Sequence, residues 1–200
     1  MTRLGRRAAH VVATTLTAGA LAACSSGSDG SMSGMVHDKT PMSTSDTSTT
    51  AEGRQGDIMF AQMMIPHHEQ AIAMADLALD PSANASEQVR DFAKDIKGAQ
   101  GPEIQTMESW LEDWDAPTAS STGMEHGSGM MTQEQMAALT SATGAEFDRQ
   151  WLTLMIQHHQ GAVIMADQVL TTTEDDAVER MAKAIVKTQK AEITAMQREL

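Results

Sequence analysis

The sequence predicts an all-α protein, a four-helix bundle made of one helical hairpin used twice, with a disordered tether at its N-terminal end. Three observations predict it. Residues 63–76 and 154–167 are copies offset by about 91 positions, so that Met64, His67, His68, Met74 and Asp76 correspond to Met155, His158, His159, Met165 and Asp167. At about 100° per residue each copy lays down one apolar stripe, through Phe60, Met64, Ala71, Met74 and Ala78 in the first and Phe147, Trp151, Leu154, Ala162, Met165 and Val169 in the second. The similarity then resumes: Val89, Phe92, Ala93, Ile96, Gln100, Glu103, Ile104 and Met107 match Val178, Met181, Ala182, Ile185, Gln189, Glu192, Ile193 and Met196. Two hairpins carrying four such stripes bury them against one another.

Residues 1–23 lie outside that fold. Arg3, Arg6 and Arg7 precede an apolar run from Ala8 to Ala23, the pattern of a secretory signal peptide. The run ends Leu21-Ala22-Ala23-Cys24, which resembles a bacterial lipobox, so Cys24 is expected to be lipidated and to anchor the exported chain to the membrane. It is the only cysteine, and no intrachain disulfide is possible. Residues 24–52 are rich in Ser, Thr, Gly and Asp and cannot bury enough surface to fold; they read as a flexible tether.

The bundle is expected over residues 53–200, as a hairpin at 54–114, a loose segment at 115–131 and a second hairpin at 132–200. The first helix should run from Arg54 to Leu79 with Pro66 as an interior kink. Asp80-Pro81-Ser82-Ala83-Asn84 breaks the chain, and Ser86 or Asn84 can cap a helix running to Trp114. A short helix around Gln133–Leu139 precedes the long one over Ala145–Leu170, and the last spans Glu174–Glu199.

Composition narrows the function. The net charge of −13 argues against nucleic acid, which selects basic surfaces. With Arg3, Arg6 and Arg7 lost in the leader, 11 Lys and Arg face 27 Asp and Glu, a charge of −16. There are 17 Met against 3 Phe, 3 Trp and no Tyr, and a thioether is both a flexible core filler and a soft metal ligand. Most helical Met are explained as packing. Met32, Met35, His37 and Met42 in the tether, and Met124, His126, Met130 and Met131 in the 115–131 segment, have no apolar stripe to serve, and most of these are candidate auxiliary metal donors.

The polar residues within the stripes carry the chemistry. His67 and His158 fall mid-stripe; His68 and His159 lie about 100° round, at the edge. Gln100 and Glu103 fall inside the stripe of the second helix, Gln189 and Glu192 inside that of the fourth. Counting back from the turns puts His67 level with Gln100 and His158 level with Gln189. Eight polar side chains on four helices then converge on one layer. A buried carboxylate needs a donor, a cation or water. The layer is therefore either a satisfied network, each Glu holding an imidazole, or a metal site of the kind bundles build from facing helices. For the second reading Met64, Met155, Met74 and Met165 add soft donors. His67-His68-Glu69 lacks the spacing of a zinc protease, and no Ser or Cys nucleophile stands out, so no catalytic constellation is expected.

Phe147-Asp148-Arg149-Gln150-Trp151 followed by Met155-Ile156-Gln157-His158-His159-Gln160-Gly161-Ala162 resembles the signature of domain-of-unknown-function family 305. Met64-Ile65-Pro66-His67-His68-Glu69-Gln70-Ala71 is similar to its other copy. The resemblance covers residues 54–200 and implies a ferritin-like bundle, exported, with some members tied to copper binding and tolerance. The leading expectation is thus a lipid-anchored, extracytoplasmic protein that binds copper for sequestration or transfer. The alternatives are a ferritin-like redox protein using iron or manganese, and a structural or partner-binding lipoprotein without metal. Nothing in the sequence names a protein partner.

Overall fold

Among the described residues, three of the five helices begin where a short polar side chain holds the first free N–H groups. The computed structural model describes residues 45–118 and 129–200, with side chains from residue 51 onward. The helices are α1 (Ser45–Leu79), α2 (Glu87–Asp113), α3 (Gln133–Ser141), α4 (Gly144–Val169) and α5 (Asp176–Met196), with a 3₁₀ turn at Pro81–Ala83. The protein is all-α, with no strand among the described residues. Ser86 Oγ accepts from the Val89 N–H at 3.3 Å to open α2. Thr132 and Gln135 form a reciprocal capping box on α3. Asp175 Oδ1 accepts from Ala177 and Val178 at 2.9 and 3.3 Å to open α5, two residues after the expected start.

The first helix departs from expectation. It begins at Ser45, nine residues before Arg54, and so takes in residues 45–52, which composition assigned to the tether. No proline falls between Pro41 and Pro66, so nothing in the covalent chain stops the helix at its first packing residue.

α1 lies along α2 and α4 along α5, each pair joined by a short turn, and the two hairpins meet through α1 and α4. The core is split into two clusters. One holds Ala71, Met74, Ala75 and Ala78 of α1 with Val89, Ala93 and Ile96 of α2, Trp151 and Met155 of α4, and Met196 of α5. The other holds Phe60 and Met64 of α1 with Met107 of α2, Ala162, Met165, Ala166 and Val169 of α4, and Val178, Ala182 and Ile185 of α5. Exchanging the two sequence copies turns each of these sets into the other. The repeat is thus a pseudo-two-fold axis passing between α1 and α4.

α3 breaks the symmetry. The chain turns at Ala142 and Thr143, where both residues are extended, and α3 packs back toward α4. Leu139, fully buried, and Met131 join the first cluster, and neither has a counterpart in the second.

Candidate metal centre

On the pseudo-two-fold axis a residue meets its own copy. That residue is His67: its ring lies 3.7 Å from that of His158, centroid to centroid, tilted by 33°. His68 and His159 sit on the outer sides of this pair, 6.4 and 6.5 Å from their sequence neighbours. All four imidazoles are buried, as are Gln100 and Gln189. The layer lies between the two apolar clusters.

The glutamates hold the outer histidines. His68 Nε2 lies 2.8 Å from Glu103 Oε2, and His159 Nε2 2.9 Å from Glu192 Oε2. Each bond closes within one hairpin, and the two copies repeat it. The mid-stripe histidines were expected to be the ones facing the carboxylates; the edge histidines do so instead. An edge position is only half-covered when a helix packs on one neighbour. α1 and α4 each pack on two, so the edge is buried as deeply as the middle. The carboxylates sit at the rim, with side chains 24% and 19% exposed, and the layer contains no fully buried charge from them.

Several donors and acceptors in the layer are left over. Nδ1 of His68 and of His159 has no hydrogen-bond partner among the described residues, nor does Oε1 of Gln100 or of Gln189, while the His158 ring has only the His67 backbone as a partner. Burial holds the His158 ring well below the usual histidine range, and charge on His67, His159 or His68 pushes the same way. His158 is therefore neutral near pH 7, the form that binds metal. Met64 and Met155, both fully buried, stand three residues before His67 and His158, a spacing that places them on the same helix face. The donor set of neutral imidazole and thioether suits a soft ion. Among the described residues no three His, Cys, Asp or Glu side chains converge so as to hold an ion. An ion in this layer would draw on thioether or amide donors as well.

The other candidates lie elsewhere. Met74 and Met165 stand two helical turns from the histidines and pack in the apolar clusters, where the Trp151 indole donates to the Met74 carbonyl at 2.9 Å. Met131, expected in a loose segment, is buried beside α1; the Gln70 amide clamps its backbone, donating to the Met131 carbonyl at 2.9 Å and accepting from its N–H at 2.7 Å. Met130 is half-buried next to it. Gly129, at φ +83°, lies against α4 so closely that a Cβ there would sit 2.8 Å from the Gln157 carbonyl and 2.9 Å from the Gly161 Cα. Gln70 and Gly129 did not stand out in the sequence. The trace they leave is a large-for-small mismatch inside the repeat, Gln70 in one copy and Gly161 in the other. Met124, His126, Met32, Met35, His37 and Cys24 lie outside the described residues.

Comparison with known proteins bears on this site. None of the curated proteins matches the chain. Among solved structures, a DUF305 protein of Streptomyces coelicolor, described as secreted, is 32% identical over 70% of this chain and 89% of its own, with a TM-score of 0.66. A DUF305 fragment from Deinococcus radiodurans is 35% identical over 71% of this chain and 93% of its own, at 0.64. CopM in its Cu(I)-bound form is 31% identical over 71% of this chain and 93% of its own, at 0.60, and CopM has also been seen with Cu(II) and with Ag. The family model for the domain of unknown function DUF305 matches residues 57–200, the helices and the histidine layer together. The chain belongs to the DUF305 family.

Proposed function

We propose that this protein binds copper in the histidine layer and serves to sequester or pass on the metal rather than to turn over a substrate. The observation that carries the reading is the pair of buried imidazoles, His67 and His158, 3.7 Å apart, with a thioether three residues before each. The likeness to copper-bound CopM supports it. The signal-like segment and Cys24 support a location on the extracytoplasmic face of the membrane, held by a lipid anchor; no helix among the described residues is long and apolar enough to cross a membrane.

A second reading has its own observation. The His68–Glu103 and His159–Glu192 bonds make a network that fixes the packing of each hairpin with no metal at all. Purified without an affinity tag, wild-type protein and a His67→Ala/His158→Ala variant separate the two. If the layer holds copper, the metal raises the melting temperature of wild type and not of the variant; at a hundredfold excess over the dissociation constant the stabilisation is about 2.7 kcal/mol. A wild-type melting temperature indifferent to copper, with a metal-free His68→Ala/His159→Ala variant weakened, would leave only the structural network. Iron or manganese bound at purification would point to the redox alternative.

A further inference from the structure

The pseudo-two-fold axis relates two halves of the α1–α4 seam, and among the described residues a short extra helix packs beside only one of them. In that half Phe147 is buried, and α3 packs Met136 and Leu139 against Leu77 and Leu154. In the other half α1 runs back to Ser45, no further helix among the described residues packs on the seam, and Gly56 stands where the repeat has Phe147. A cavity of about 290 Å³ remains there, lined by Gly56, Met59, Phe60, Met63 and Met165 with Val169 and Thr172 behind.

Three thioethers line it at three depths. Met59 is at the mouth, 45% exposed; Met63 is half-buried on the wall; Met165 is buried at the floor. Core packing does not account for Met59, whose side chain fills nothing. The repeat does not account for Met59 and Met63 either, since their counterparts in α4 are Gln150 and Leu154. Met59, Met63 and His67 are also successive members of one i, i+4 row of α1, each about 6 Å of rise from the next, so the row leads from solvent to the histidine pair.

We propose that the Met59–Met63–Met165 groove is a second site for a soft monovalent cation, Cu(I) by chemistry, and the way by which that ion reaches the histidine layer. Thioethers select Cu(I) over harder ions, and an open groove lets an ion arrive and leave where a closed core does not. The delivery role rests on the proposed copper site in the layer; binding in the groove does not.

The test uses the full chain and Ag(I), which binds the same soft donors without redox change. Met59→Leu/Met63→Leu keeps volume and apolar character, so the fold is retained. The variant should bind one Ag(I) fewer than wild type at equilibrium. The copper-induced rise in melting temperature should reach the wild-type value more slowly. In wild type labelled at the methionine methyls, Ag(I) should shift the Met59, Met63 and Met165 resonances. Unchanged Ag(I) stoichiometry with unmoved methyl signals would overturn the site and leave an apolar groove. Unchanged loading time, with the stoichiometry reduced, would overturn the delivery role. If wild type ignores copper but the variant still loses one Ag(I), the histidine-layer reading has failed and the groove stands.

Discussion

His67 and His158, 91 residues apart in the chain, lie ring on ring at 3.7 Å because each is the other's image across the seam between the hairpins. The His158 imidazole, so placed in a buried layer, is a poor host for a proton. The His158 pKa is lowered from 6.5, first by burial and then by the facing histidines.

Stability of the metal-free protein should therefore fall as the medium is acidified. A histidine with a lowered folded-state pKa contributes stability that is present above its unfolded value of 6.5 and is lost as pH falls through the folded value, because the unfolded chain takes up the proton first. Melting temperature should drop between about pH 7 and pH 5, and His158→Gln should flatten that slope. Asp57, whose pKa burial raises above 3.8, has the opposite sign: its contribution is present below 3.8 and lost as pH rises through the folded value. A wild-type curve as flat as that of the variant would show that the His158 ring is protonated as readily in the fold as out of it.

The two outer pairs should behave as equals. Glu103→Ala strips the partner from a buried His68 nitrogen, and Glu192→Ala does the same to His159. Leaving one buried nitrogen unsatisfied costs about 1–3 kcal/mol, and each variant should fall in that range by urea unfolding. A large loss for one and none for the other would mean that the pseudo-symmetry of the coordinates does not extend to the energetics.

Glycines separate cleanly into two kinds. Gly129→Ala should destabilise by about 1–3 kcal/mol, since it forces a side chain into a positive φ and against the α4 backbone. Gly98→Ala meets nothing within 4 Å and should stabilise α2 by about 0.5–1 kcal/mol. Thermal melts of the two variants check the contrast.

How far these positions could be read from sequence depends on the kind of signal. The start of α2 was legible because Ser86 is a local device whose partner lies three residues away; Thr132 and Asp175 act in the same way at α3 and α5. That the histidine pairs lie level with Glu103 and Glu192 was legible because a short turn fixes antiparallel register by counting. Which histidine faces which glutamate was not, since a single helical wheel assumes one packing direction and α1 has two. Met131 was hidden by its glycine-rich neighbours. Its burial follows from the Gln70 clamp, 61 residues away, which no local pattern announces. The start of α1 was missed because an apolar stripe marks where a helix packs and not where it begins.

Neither apolar cluster belongs to one hairpin; each takes residues from both α1/α2 and α4/α5. A hairpin alone thus has half of two cores and the whole of none. A chain cut once between the hairpins, after Thr118, should yield two fragments that are disordered apart and reassemble on mixing, at a rate that rises with concentration. The peptide link between the hairpins would then act by raising the local concentration of one half around the other. That makes the assembled pair the unit of folding, as in an obligate dimer whose subunits share one chain.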